Sequence, residues 1–401
     1  MDVMIEKKLV PKLRFKQYND NWNTLTLEKL SIINMGQSPE SKSYNQLGEG
    51  MLLVQGNADI KNRLTNPRQW TSEPTKKCQI GDLILTVRAP VGAIAKSVHN
   101  ACIGRGVCSI SNNSKSDIEY LYQTLVNYEK KWIRLEQGST FTAVSGKDIR
   151  GIKLNIPSLP EQQKIASFLS AVDEKLQQLT KKKDLLEEYK KGVMQQIFSQ
   201  ELRFKDDNGN NYPDWEEKRL GDVLFEHKLK STGKEEVYSV SVHKGLINQI
   251  EHLGRSFSAK NTDHYSLVKP NDIVYTKSPT GQFPYGIIKQ AKINKDVIVS
   301  PLYAVFTPES EHLGYMLDIH FESKHNVHNY LHSIIQKGAK NTINITNSTF
   351  LSKSFKLPID FDEQRKIGSF LKSIDSKTEL VNTKIEKTKA FKKGLLQQML
   401  V

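Results

Sequence analysis

Cysteine is scarce in this chain: Cys78, Cys102 and Cys108 are the only three in 401 residues. So few, and odd in number, they exclude a disulfide framework and make the cytoplasm the expected compartment. Cys102 and Cys108 flank five residues of an apolar, glycine-rich stretch. That is no zinc spacing, so they read as buried structural thiols. No apolar run approaches the ~18 residues of a membrane span, so no membrane partner is expected. The opening "MDVMIEKKLVPKLRF" lacks an apolar core before a small-residue cleavage site, so no secretion signal is expected.

Sequences that carry catalysis are also missing. There is no P-loop, which excludes a motor, and no glycine-rich turn after a strand to hold a nucleoside cofactor. "QFPYG" (Gln282–Gly286) lacks the first proline and preceding amide of an amino-methylation motif. Pro213-Asp214 with Glu217 and Lys218 faintly suggests a nuclease, but the carboxylates are too close in sequence. His325, His328 and His332 share a helical face without the acid of a zinc-helix motif, and read as a solvated or phosphate-facing stripe. No catalytic residue, metal ligand or cofactor site is assigned to this chain.

What the chain has is positive charge and repetition. Its net charge is +14, with 37% hydrophobic and 25% charged residues. A globular composition with this surplus points to a polyanion, nucleic acid first.

"PEQQKIASFLSAVDEKL" (Pro160–Leu176) returns as "DEQRKIGSFLKSIDSKTEL" (Asp362–Leu380), and "KKGVMQQIF" (Lys190–Phe198) as "KKGLLQQML" (Lys392–Leu400). The offset is 202 throughout, so the copies have equal length. Fainter echoes precede each copy. "LRF" occurs at Leu13–Phe15 and Leu202–Phe204, each followed by a tryptophan, Trp22 or Trp215. "GDLILTVRAPVG" (Gly81–Gly92) aligns with "NDIVYTKSPTG" (Asn271–Gly281). The order is globular block, repeated segment, globular block, repeated segment, over 1–157, 158–200, 201–358 and 359–401.

Steps of four and three from Ile165 reach Leu169, Val172, Leu176, Leu179, Lys183, Leu186, Lys190, Val193 and Ile197; eight of these ten positions are apolar. From Ile367 the same steps give seven of ten, with Thr378 and Thr388 among the exceptions. This is a coiled-coil seam. Ser158 with Glu161, and Asp360 with Glu363, have capping-box spacing. Each helix should run about 38 residues, roughly 57 Å. Neither can stand alone, and the simplest partner for one is the other, packed antiparallel in the same chain.

The globular blocks read as α+β. Strands are expected at Asp82–Val87 and Asp272–Thr276, a pair of strand turns at Val297–Phe306, and helices at Asp117–Leu135 and Leu313–Ile335. Polar loops follow the first two strands, carrying Arg88 in one block and Lys277, Ser278 and Thr280 in the other. A second pair of loops, Glu136–Ile149 and Gln336–Phe350, gathers hydroxyls, amides and Lys147, Lys337 and Lys340. These residue types address phosphates and base edges. Seven lysines face six acids over 161–198, and nine cations face five acids over 361–401, which leaves nine of the fourteen surplus charges outside the helices.

This organisation resembles the specificity subunits of type I restriction–modification systems. The resemblance covers the whole chain and rests on "PSLPEQQKIASFLSAVDEKL", "DFDEQRKIGSFLKSIDSK", "GDLILTVRAPVG", "SPLYAVF" and their alternation. It implies two α/β-mixed target-recognition domains separated by two long helices pairing as an antiparallel coiled coil, pseudo-twofold symmetric. Each domain would read one half of a split target in double-stranded DNA. The helices would act as a ruler between the halves and dock two modification (methyltransferase) subunits, which bring S-adenosylmethionine and the adenine chemistry. Restriction/translocase subunits complete the complex. DNA rises about 3.4 Å per base pair, so an added helical turn should lengthen the spacer by one or two base pairs.

The expected DNA-binding residues are Arg88, Arg105, Thr140 and Lys147 in the first block. In the second they are Lys277, Ser278, Thr280, Lys337, Lys340 and Asn341. The expected docking residues are Gln162, Gln163, Phe168 and Gln195 on one helix and Gln364, Arg365, Phe370 and Gln397 on the other. The target sequence does not carry over from the resemblance. The rival reading is a coiled-coil adaptor or homodimerising scaffold without sequence-specific DNA binding.

Overall fold

The structure, a computed structural model, describes residues 10–136, 143–253, 262–281, 283–337 and 343–400, with backbone only for 133–136, 252–253 and 336–337. The chain divides into two units, Met1–Lys182 with Val381–Val401, and Lys183–Leu380.

In the first unit, Asn23–Thr26 pairs antiparallel with Lys153–Ile156, Leu25 facing Leu154. One helical turn, Leu27–Leu30, then buries both its leucines completely. The chain enters a six-stranded sheet ordered Ser31–Met35, Val107–Asn112, Leu83–Thr86, Ile94–Lys96, Leu64–Thr65, Ile60–Lys61. Every residue of Leu83–Thr86 is buried, as its unbroken "LILT" run requires of a strand covered on both faces. The helix Ile118–Glu136 sets Tyr120, Leu121, Leu125 and Trp132 into this core. A second sheet of five strands runs Tyr44–Asn45, Gln69–Thr71, Met51–Val54, Ala101–Ile103, Lys77–Cys78. All three cysteines are buried and free, and burial raises the Cys108 thiol to about 12.

The second unit opens in the same way. Trp215 is buried, Glu216–Arg219 pairs antiparallel with Ser354–Leu357, and the turn Leu220–Val223 follows. Its main sheet is ordered Leu224–Phe225, Ala304–Pro308, Ile273–Tyr275, Ile288–Gln290. Both central strands start from the same device. Gly81 and Asn271 take positive φ, +94° and +70°. The next residue, Asp82 or Asp272, accepts from a backbone N–H three residues before it. Its other oxygen takes a hydroxyl from the neighbouring strand, Ser111 (2.6 Å) or Thr307 (2.7 Å).

The expected helix Leu313–Ile335 is two helices, Glu311–His320 and Lys324–Leu331. Ser323 makes the break, its hydroxyl capping the Asn326 N–H. Val297–Phe306 holds two strands, Val297–Val299 and the start of Ala304–Pro308.

The long helices span Leu159–Phe198 and Phe361–Met399. Each unit contains the opening of one and the closing turns of the other. In the first unit, Ile165 and Leu169 share a core with Leu395, Met399 and Leu400, and Asp173 then reaches Lys392 at 2.6 Å. The paths are therefore antiparallel. In the second, Ile367, Leu371 and Ile374 share a core with Val193 and Ile197, and Asp375 pairs with Lys190 at 2.7 Å. Asp173 and Asp375 are 202 apart, as are Lys190 and Lys392, so each copy supplies an acid to one pair and a lysine to the other.

Candidate nucleic-acid interface

In the first unit the structure brings the two expected loops together. The Thr86 hydroxyl donates to Pro90 O (2.7 Å) and accepts from Ala93 N–H (2.9 Å), which closes the loop around Arg88. Gly92 sits at φ +85°, and a Cβ there would fall 2.2 Å from the Trp132 ring, so only glycine fits. Exposed Arg88 bridges antiparallel to Ala143, and Val144 N–H donates to Val87 O. Exposed Arg105 belongs to a third loop, joined to the first by Val87 N–H to Gly106 O (2.9 Å). Exposed Lys147 lies on the turn Gly146–Arg150, held by a Ser145–Asp148 capping box. It lines a cleft with Lys131, Arg150 and Lys153. Thr140 lies outside the described residues.

The second unit spends its loop cation differently. Lys277, half-buried at φ +52°, donates from Nζ to Asn347 Oδ1 (2.5 Å), and Asn347 Nδ2 donates to Glu226 (2.7 Å). Burial lowers the Lys277 ammonium, and Glu226 opposes that shift. Lys277 is thus a strut between the two loops rather than the free cation its sequence position suggests. Ser278 and Thr280 are exposed, and Thr280 exchanges two backbone hydrogen bonds with Phe283. Exposed lysines instead appear at a nearby cleft lined by His227, Lys228, Lys230, Ser266 and Asn347. Lys340 and Asn341 lie outside the described residues, as does the Lys337 side chain.

His325, His328 and His332 are exposed, and the last two stack at 5.0 Å. Among the described residues no cluster of His, Cys, Asp and Glu has the arrangement of a metal site.

On the helices, four expected docking side chains are committed inside their own units. Gln162, 1% exposed, donates to Pro157 O and Lys115 O and accepts from Asp117 N–H. Gln364, fully buried, donates to Pro358 O and Glu309 and accepts from the Ser310 hydroxyl. Each glutamine ties a helix opening to its globular block. Phe168 and Phe370 pack edge-on against Phe15 (5.8 Å) and Phe204 (5.6 Å), the phenylalanines of the two "LRF" echoes. Glu161 is no capping-box acid either: its two oxygens accept from Arg14 Nε and Nη2, each at 2.7 Å. Glu363 lies 3.7 Å from Arg203, the other echo's arginine. Leu13 and Leu202 donate their backbone N–H to Gln398 O and Gln196 O, again 202 apart. Gln163, Gln195, Arg365 and Gln397 are exposed, Arg365 pairing with Asp362.

Sequence reasoning missed two groups. The first is an exposed aromatic at the same place in each helix, Tyr189 (53%) and Phe391 (55%). A glycine follows three residues on, Gly192 or Gly394, and a Cβ at either would meet nothing within 4 Å. The 202 offset with an aromatic at both positions was the available signal. The second is a polar cleft beside Ala89 and Pro90, lined by Gln46, Gln55, Asn57, Arg68 and Gln69. Its signal was the amide- and cation-rich run "QGNADIKNRLTNPRQ".

The family model described as "Type I restriction modification DNA specificity domain" matches twice, over residues 19–188 and 212–390. A putative type I restriction enzyme MjaX specificity subunit of Methanocaldococcus jannaschii is 36% identical over 205 residues. That is 50% of this chain, which spans 48% of that relative's length. The MjaIX specificity subunit of the same organism is 23% identical over 306 residues, 68% of either chain. The crystal structure of a type I restriction–modification S subunit from M. genitalium aligns over 98% of this chain and 99% of its own. It does so with a TM-score of 0.61 at 16% identity, a likeness of fold. No helix among the described residues is long and apolar enough to cross a membrane. An adaptor without a DNA role is not favoured. Matched across both of its halves, the chain belongs to the family of type I restriction modification DNA specificity domains.

Proposed function

We propose that this chain is the non-catalytic DNA-specificity subunit of a type I restriction–modification complex in the cytoplasm. Each globular unit reads one half of a bipartite target in double-stranded DNA. The paired helices fix the spacing and dock two modification subunits, whose S-adenosylmethionine supplies the methyl group. Restriction/translocase subunits join that core. The observation that carries this reading is the double family match, one match for each globular block with its helix.

In the first unit, Arg88, Arg105 and Lys147 are the DNA-contacting cations. In the second, Ser278 and Thr280 act with Lys228 and Lys230, and Lys277 shapes the loop. Thr140, Lys337, Lys340 and Asn341 keep their proposed DNA roles. Gln163, Gln195, Arg365 and Gln397 dock the modification subunits, together with Tyr189 and Phe391. Two equivalent aromatics suit one partner bound twice, and a helical glycine in open space lets a partner backbone approach closely.

The test is co-purification with a modification subunit, followed by sequencing of methylated adenine in host DNA. A bipartite motif that appears only with this chain is the expected result. A modification subunit that methylates the same motif without it would overturn the reading.

A further inference from the structure

We infer that the amide-lined cleft of the first unit reads the edge of an adenine in the DNA major groove, with Gln69 as reader and Gln55 as its positioning residue. This rests on the DNA-specificity reading above and names one base contact within it.

The cleft is rigid. Gln69 opens the strand Gln69–Thr71, which is paired on both sides, and Gln69 itself lies opposite Leu53. Gln55 directly follows the strand Met51–Val54, and its backbone N–H donates to buried Asp59 (2.8 Å). The loop bearing Arg105 is pressed against Gln55. A Cβ on Gly106 would lie 2.1 Å from Gln55 O, and one on Gly104 would lie 3.3 Å from Gln55 Cα. At Gly106 only glycine allows this approach, and at Gly104 a side chain would be tight. These glycines bring the backbone of the Arg105 loop against Gln55, while Ala89 and Pro90 extend the Arg88 loop to the cleft.

The amides are already oriented. Gln55 Nε2 donates to Gln69 Oε1 at 3.2 Å. Among the described residues, nothing takes the second lone pair on that oxygen or the hydrogens on Nε2. An acceptor beside a donor complements adenine, which presents an N6 donor and an N7 acceptor in the major groove. Guanine presents two acceptors there and calls for an arginine or lysine fork instead. Arg68, 3.6 Å from Asp59 and largely exposed, stands next to the reader and suits a phosphate. The lysine-lined cleft of the second unit has different chemistry, so the two half-targets should differ in sequence.

The experiment uses the full chain in complex with its modification subunit. Wild type, Gln69→Ala, Gln55→Ala and Arg68→Ala are compared by sequencing methylated adenines. Gln69→Ala should relax one adenine position in one half-target, by about ten- to hundredfold in discrimination. Gln55→Ala should relax the same position less, and Arg68→Ala should weaken methylation without changing the motif. In parallel, 7-deazaadenine is placed at each target adenine in turn. At the read position it removes the N7 acceptor, so wild type should lose affinity, Gln55→Ala should lose less, and Gln69→Ala should not respond.

An unchanged motif with Gln69→Ala, or no adenine at which the 7-deaza base weakens wild-type binding, overturns the inference. The second arm decides even if Gln69→Ala fails to fold. Loss of the bipartite motif in wild type would instead sink the specificity reading itself.

Discussion

Both units build four strands in one order, and among the described residues only the first adds a five-stranded second sheet. The shared frame rests on repeated chemistry: a positive-φ residue, an aspartate, and a hydroxyl from the neighbouring strand. The difference lies in the segment before the central strand. In the first unit it supplies four of the five strands of the sheet that holds Gln55 and Gln69. In the second it forms the antiparallel pair Tyr238–Ser241 with Gly245–Asn248, and the strand Ser266–Val268, which pairs with Val297–Val299 from beyond the central strand. A frame can thus stay fixed while the surface it presents is rebuilt, which suits two halves that read different sequences.

The anchors of the helix openings sharpen this comparison and carry the largest expected effect. Glu161 is 1% exposed and held bidentately by Arg14. Arg14→Ala strands a buried carboxylate and should destabilise the first unit by about 3–5 kcal/mol in a denaturant melt. Arg203 is shared among Asp214, Tyr212 O and Pro213 O, and stays 3.7 Å from Glu363. Burial raises the Glu363 carboxyl above its ordinary range. Glu363→Gln should therefore cost under about 1 kcal/mol, and Glu161→Gln clearly more. Equal costs would show that the two anchors are energetically alike despite their geometry.

Acid should separate the units next. His320 packs among Phe198, Phe321 and Phe355, and burial lowers its imidazole to about 4. Between pH 6.5 and 4 the unfolded chain binds a proton that the folded second unit refuses. Stability therefore falls as pH drops through that window, by at most about 3 kcal/mol. His312, also lowered by burial, adds a smaller effect of the same sign. Thermal melts at pH 7 and pH 4.5 should show the loss, and His320→Phe should remove most of it. An unaltered pH slope in that variant would contradict the assignment.

The repeat-related ion pairs differ in load. Among the described residues Lys392 serves Asp173 alone, while Lys190 serves both Asp375 and Glu322. Lys190 is held charged despite its burial, which alone would lower its ammonium. Lys190→Ala leaves two acids near each other and should cost about 1–2 kcal/mol, against under about 1 kcal/mol for Lys392→Ala. A double-mutant cycle on each pair measures the difference.

The repeated segments were legible in the sequence because heptad spacing and an exact offset are local signals. The strands "LILT" and "IVY" were legible as short apolar runs after turn residues. The second sheet was not, because its strands are only two to four residues long and take their pairing from distant chain. Gln162, Gln364, Phe168 and Phe370 have internal roles that were not legible, for a related reason. A residue repeated in both copies reads as a partner contact until the fold shows the equivalent internal contact that each copy makes. The break at Ser323 was missed because the apolar period continues across it, and only the hydroxyl cap gives it away.

The helical glycines test whether the outward faces serve a partner. An interior helical glycine costs about 0.8–1 kcal/mol relative to alanine. Nothing among the described residues accounts for that cost, since a Cβ at Gly192 or Gly394 would meet none of their atoms within 4 Å. Gly192→Ala and Gly394→Ala should each stabilise the free chain by about 0.5–1 kcal/mol, read as a small rise in melting temperature. If a modification subunit packs its backbone against this notch beside Tyr189 and Phe391, the same methyl groups should weaken its binding. Titration of the subunit onto the stabilised double variant checks this, with Tyr189→Ala and Phe391→Ala lowering affinity at no cost in stability. Unchanged affinity in all these variants would move the docking surface to the faces bearing Gln163 and Arg365.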